Sequence, residues 1–170
     1  MPYLDRVTIG EPLVRGDYRI EPITTGAAVA RGDFVKFSSG TAVQALTKSG
    51  TASTVVTSTG AGVVCIGVCL HDAGSGETVQ VAIADDQSEF FGRILHGTGS
   101  SAEQADVTLG NSYNLGIYTI GTSGPGVYGV STVSSTPDVI ITEKSPESAS
   151  GDDFGFVWFK FKNAFRAYSN

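Results

Sequence analysis

Residues 60–84 constrain the fold most. Residues 60–70 (Gly-Ala-Gly-Val-Val-Cys-Ile-Gly-Val-Cys-Leu) are apolar throughout, the length of one β-strand. Residues 71–76 form a turn cluster with two glycines. Residues 77–84 then alternate: Val79, Val81 and Ile83 point one way, and Thr78, Gln80 and Ala82 the other. This pattern predicts a β-hairpin whose first strand is covered on both faces and whose second is covered on one. A lone hairpin is not stable in water, so other strands must close over it.

The rest of the chain supplies strands and almost no helix. A short strand is expected at 34–37, a turn at 38–40, and a second strand at 41–47 with Val43 and Ala45 inward. Residues 48–62 read as a loop with one weak strand at Val55 and Val56. After an acidic turn at 85–87, residues 89–96 set Phe91, Arg93 and Leu95 opposite Phe90 and Ile94. A single helical turn is expected at 102–105. Strands follow at 112–120, 127–133 and 139–142, with a Gly-Thr-Ser-Gly-Pro-Gly reversal at 121–126. In the closing run, Phe156 and Trp158 share a face that turns charged at Lys160 and Lys162. Val157, Phe159 and Phe161 keep the other face apolar, so this strand belongs inside a sheet. These segments amount to about ten strands, the number carried by a barrel or sandwich of this size. The expected class is all-β: a β-barrel, a β-tulip-like fold or a sandwich over residues 24–170. Prolines at 2, 12 and 22 make residues 1–23 an extended arm.

Composition excludes several functions. Charged residues are 16% and apolar residues 41%, which argues against disorder. The formal charge is -6 and Lys and Arg are not clustered, which disfavours direct nucleic-acid binding. No apolar run approaches the ~20 residues of a membrane helix, so no membrane partner is expected. No apolar h-region follows Met1, so no signal peptide is expected. Cys65 and Cys69 fall on one predicted strand, on the same face. Their Cα atoms would be roughly 13 Å apart, too far for a disulfide, so free thiols and a reducing compartment of synthesis are expected.

Motifs that suggest chemistry have simpler readings. Arg-Gly-Asp occurs at 15–17 and 31–33, but each precedes strand formers, as a Gly-Asp turn would. Cys69 and His71 lack the paired spacing of a zinc site. His71 and His96 have no nucleophile elbow or other catalytic partner set in the sequence. Asp85-Asp86 and Asp152-Asp153 fit no calcium loop. Trp158 sits inside an aromatic strand, which favours a core role over a sugar platform. No catalytic set, cofactor or metal site is expected.

Residues 30–35 (Ala-Arg-Gly-Asp-Phe-Val) carry a small-x-Gly-Asp-x-Val opening. Cys-Ile-Gly-Val at 65–68 and Ala-Gly-Ser-Gly-Glu-Thr-Val at 73–79 follow it. Further on come a Glu-Phe strand after an acidic turn (85–90), Ala-Asp-Val-Thr-Leu-Gly-Asn (105–111), Tyr-Asn-Leu (113–115) and the closing Val-Trp-Phe-Lys-Phe-Lys-Asn-Ala-Phe. Together these resemble tailed-bacteriophage capsid cement (head decoration) proteins over residues 26–168. The resemblance implies a homotrimer on the exterior of the virion, made in the host cytoplasm, that clamps neighbouring subunits of the major capsid protein. The arm would lie along the capsid or a sister subunit. Its apolar anchors Tyr3, Leu4, Val7 and Ile9, with Arg6 and Arg15, are the expected interface residues. The alternatives are another virion part, such as a head fibre or tail-tube subunit, and an extracellular carbohydrate-binding or adhesin β-sandwich.

Overall fold

A computed structural model describes residues 14–47, 49, 55–57, 65–85, 87–96, 103–119, 126–135, 137–146, 148 and 155–162. Among them the strands are β1 (Val14–Arg15), β2 (Ile20–Thr24), β3 (Phe34–Ser38), β4 (Thr41–Gln44), β5 (Val55–Thr57) and β6 (Gly67–Cys69). They continue with β7 (Thr78–Ile83), β8 (Glu89–Leu95), β9 (Ser112–Thr119), β10 (Gly126–Ser131), β11 (Val139–Lys144) and β12 (Phe156–Phe161). One 3-10 turn, Gln104–Asp106, stands where a helical turn is expected. The protein is all-β, with two sheets in a sandwich-like arrangement.

The first sheet has the order β2-β7-β6-β3-β4, antiparallel throughout. The predicted hairpin is β6–β7, with Val68 opposite Ala82. Ser39 and Gly40, both at positive φ, close the tight β3–β4 turn, and their backbone suits the twist of the flanking strands. Thr25 bridges Ala42, and Gly26 N donates to Ala42 O at 2.9 Å. The two edges therefore approach each other and the sheet rolls around its own core. Ile23, Val35, Ala42, Ile66, Cys69, Val79, Val81 and Ile83 fill that core.

Two expectations about this sheet need correction. Ala42, not Val43, points inward: Val43 pairs with Lys36 on the outer face, while Ala42 pairs with Phe37. Cys65 and Cys69 do not share a face. Cys65 and Val68 enter one core, and Ile66 and Cys69 the other. The alternation slips one step across Gly67, whose backbone runs hard against β7. A Cβ there would overlap the Ala82 carbonyl oxygen and lie 2.7 Å from Val81 Cγ1. Both thiols are free and buried.

In the second sheet β8 pairs with β10, β10 with β9, β9 with β11, β11 with β12, and β12 with β8 again. The pairings form a closed circuit, which removes free edges from these five strands. Among the described strand pairs of this sheet only β8–β10 is parallel. β5 adds to β9, and β1 to β8. The closing strand β12 lies between β11 and β8, inside the sheet as its aromatic content predicts.

The sheets share a core. Phe34, from β3, projects among Phe90, Phe159, Phe161 and Tyr128, with ring centroids 5.4–5.9 Å away. Three of the four contacts are edge-on, the arrangement that ring quadrupoles favour. Tyr128 adds a polar tie: its hydroxyl donates to Leu46 O at 2.7 Å and accepts from Leu46 N at 3.2 Å. Within the second sheet, the buried Gln104 Nε2 shares its two hydrogens among three acceptors, Ser145 O, Ser148 Oγ and Phe156 O, at 2.6–2.9 Å. That amide fixes the 3-10 turn to the start of β12.

The expected arm, 1–23, is built into both sheets over its second half. β1 pairs with β8 in one sheet, and β2 pairs with β7 in the other. Residues 1–13 lie outside the described residues.

Candidate interaction site around Arg15

Of the expected interface residues, Tyr3, Leu4, Arg6, Val7 and Ile9 lie outside the described residues. Arg15 is described, and its position follows from strand register. Arg15 pairs with Glu89 on β8. Across β8, Phe91 pairs with Trp158 on β12, and across β12, Trp158 pairs with Glu143 on β11. Opposed residues in antiparallel strands point to the same face. Register therefore brings a cation, two carboxylates and an indole together from four strands.

The geometry is close. Arg15 Nε donates to Glu89 Oε2 at 2.6 Å, and Nη2 donates to Glu143 Oε2 at 2.5 Å. The guanidinium carbon lies 4.1 Å from the Trp158 ring centroid. Burial works against the Arg15 charge, but the hydrogen bonds to Glu143 and Glu89 hold its pKa above the ordinary value. The side chains of Arg15, Glu89 and Glu143 are 38%, 20% and 43% exposed, so salt reaches this cluster.

Beneath Trp158 the stack continues inward. Phe91 lies 5.0 Å from Trp158 and stacks on Phe156 at 4.8 Å and 13°. The Arg93 guanidinium carbon sits 4.5 Å from the Phe156 ring centroid. An arginine thus stands at each end of a three-ring cluster, in which Trp158 is tilted 55° to Phe91, partly exposed at Arg15 and fully buried at Arg93. Each cation lies over a ring face, where the aromatic quadrupole attracts it. In the sequence Arg93 shares the Phe91 face and has no expected role there. The available signal was a charge on a strand whose two faces are both apolar.

The other candidates resolve into structure. Asp33, the acid of the second Arg-Gly-Asp, is buried, and its Oδ2 accepts from Ala30 N (2.9 Å) and Gln44 Nε2 (2.7 Å). Burial raises its pKa. In the first triplet, Arg15 is engaged by Glu89, Glu143 and Trp158. His71 Nδ1 lies 2.9 Å from Asp72 O, and Nε2 accepts from Gln80 N at 3.1 Å, so both ring nitrogens close the β6–β7 hairpin. Burial pushes the Cys69 thiol up to about 12 and raises Cys65 further, which makes neither a ready nucleophile. Among the described residues no group of three or more His, Cys, Asp or Glu is placed to hold a metal ion. No helix among them is long and apolar enough to cross a membrane. The chain matches no protein-family model, and no curated protein matches it.

Proposed function

We propose that this protein is a capsid cement protein. It binds the outside of a tailed-phage head, bridges neighbouring subunits of the major capsid protein, and carries out no reaction. It acts as a homotrimer in the virion.

The observation that carries the reading is where the resembling motifs fall. Gly32-Asp33 makes the turn that opens β3, with the Asp33 carboxylate holding Ala30 N. The Gly67-Val68 pair starts β6, and the 73–79 motif turns into β7. All three therefore serve one rolled sheet, as parts of a single resembling domain would. Two rolled sheets on a shared core give a rigid body, and many rigid copies on one shell act by avidity: after one contact forms, the next is intramolecular. The large apolar residues exposed among those described are Tyr18, Ile20 and Leu109. Only one of them is aromatic, whereas a carbohydrate module would favour several exposed rings.

The test is cosedimentation of the full chain with capsids of the parent phage, beside a variant lacking residues 2–13. That boundary keeps Val14 and Arg15 in the second sheet, whereas cutting at residue 20 would remove β1. Saturable cosedimentation of the full chain, lost in a folded truncated variant, is expected. Wild-type saturation by the truncated variant would remove the arm from the interface. No cosedimentation of the full chain would end the proposal.

A further inference from the structure

We propose that the outer edge of β2 binds a second copy of this chain, strand against strand, about a two-fold axis at Ile20. β2 is an end strand of the first sheet. Its hydrogen bonds to β7 fall at odd positions: Ile83 N donates to Arg19 O at 2.9 Å, and Thr25 N to Glu77 O at 2.8 Å. In an antiparallel ladder alternate residues turn their N–H and C=O the other way, so Ile20 and Pro22 turn theirs outward. Pro22, with no N–H, suits an outward position on an edge strand. Beyond Pro22 the edge is closed, because Thr25 bridges Ala42 of β4 and Gly26 N donates to Ala42 O. Before it, no described strand pairs with that side of β2. Tyr18, Ile20 and Pro22 are all exposed there, Ile20 at 50%.

An exposed edge bearing apolar side chains is a template for another strand, and residues 18–22 (Tyr-Arg-Ile-Glu-Pro) complement themselves. With Ile20 set against Ile20 of the second copy, antiparallel pairing sets Tyr18 against Pro22 and Arg19 against Glu21, and the two-fold axis repeats both contacts. Side chains alternate between faces along a strand. One face therefore gains a continuous apolar row from Tyr18, Ile20 and Pro22 of both copies. The opposite face gains Arg19–Glu21 pairs of opposed charge at directly facing positions, where such pairs stabilise. Arg19 is exposed, and its five N–H donors can take up a carboxylate beside any contact within its own chain. Moving the axis to Arg19 or Glu21 would oppose like charges, and moving it to Pro22 would set Glu21 against Ile23. Charge thus selects the register. Each Ile20 N–H meets the other copy's Ile20 carbonyl, and each Tyr18 N–H meets a Pro22 carbonyl. So short a contact is weak between free copies and gains where copies are held side by side. It does not depend on the cement reading, and within a trimer it would join one trimer to the next.

Disulfide trapping on the full chain reads both the contact and its register. Facing residues of an antiparallel pair have Cα atoms about 4.5–5.5 Å apart, within disulfide reach, and the natural thiols of Cys65 and Cys69 are buried. Under mild oxidation, Ile20→Cys should form covalent dimers about tenfold faster than Leu109→Cys, a comparably exposed site elsewhere. Arg19→Cys mixed with Glu21→Cys should link as well, and neither should dimerise as fast alone. In the natural chain, raising the concentration should slow hydrogen exchange at Ile20 N–H and leave Glu21 N–H, which faces β7, unchanged. Ile20→Cys dimerising no faster than Leu109→Cys would overturn the proposal and leave this edge to a strand of another protein. A mixture that links no faster than its components, or an Ile20 amide indifferent to concentration, would overturn it too. Should Ile20→Cys fail to fold, the mixed pair and the natural chain decide. No step involves a capsid, so failure here leaves the cement reading to its own test.

Discussion

Replacing Phe34 with alanine should weaken both sheets at once. Phe34 is 3% exposed, sits on β3 of the first sheet, and touches four aromatic rings of the second. Truncating a buried phenylalanine costs about 3–5 kcal/mol when the site cannot collapse. Here the cavity would be walled by Phe90, Phe159, Phe161 and Tyr128, each fixed on a paired strand, so the site collapses little and the loss is at least the middle of that range, about 4 kcal/mol. With a urea m-value of about 2 kcal/mol/M, the unfolding midpoint falls by about 2 M. The assay is urea unfolding followed by Trp158 fluorescence and by far-ultraviolet circular dichroism. Trp158 lies on β12 of the second sheet, so its signal reports a sheet that the substitution does not belong to. Coincident transitions, both shifted by about 2 M, are expected of one cooperative unit. A Trp158 transition that stays at the wild-type midpoint while the dichroism shifts would refute a shared core.

Three further predictions follow from single contacts. Gly67→Ala should cost about 2–3 kcal/mol in the same urea assay, because its Cβ meets the backbone of Ala82 rather than a movable side chain; a change under about 0.5 kcal/mol, the size of a neutral surface substitution, would refute the close approach. Asp33 has a folded pKa raised above its ordinary 3.8 by burial, so its contribution to stability is full below that value and is lost as pH rises through the folded pKa. Asp33→Asn can still accept from Ala30 N and Gln44 Nε2, so it should flatten that fall and be no less stable at pH 7; an unchanged pH profile would contradict this. Gln104→Ala should cost about 1–2 kcal/mol, since it removes the buried amide donor from Ser145 O, Ser148 Oγ and Phe156 O while each keeps a backbone N–H, and thermal unfolding that is unaltered would remove the lock.

Much of the fold is legible because local pattern sets strand position. The alternation of Val79, Val81 and Ile83 locates β7, and the run through Phe159 and Phe161 locates an interior strand. What stays hidden depends on partners far away in sequence. The phase slip at Gly67 follows from the nearness of β7, which a run of small apolar residues does not announce. Ala42 and Val43 both suit an inward position, and only the pairing of Val43 with Lys36 decides between them. Residues 14–15 look like part of an arm because two residues carry no periodicity, yet a strand 74 positions on supplies Glu89 for Arg15. Arg93 is legible as a residue on the Phe91 face. Its burial against Phe156 is not, since it requires the register between β8 and β12.

The cement reading is tested most directly by counting copies of this protein in purified particles of the phage that encodes it, against the major capsid protein. The account predicts many copies in a fixed ratio to that protein. Purified heads that contain none, from cells in which the protein is abundant, would contradict it.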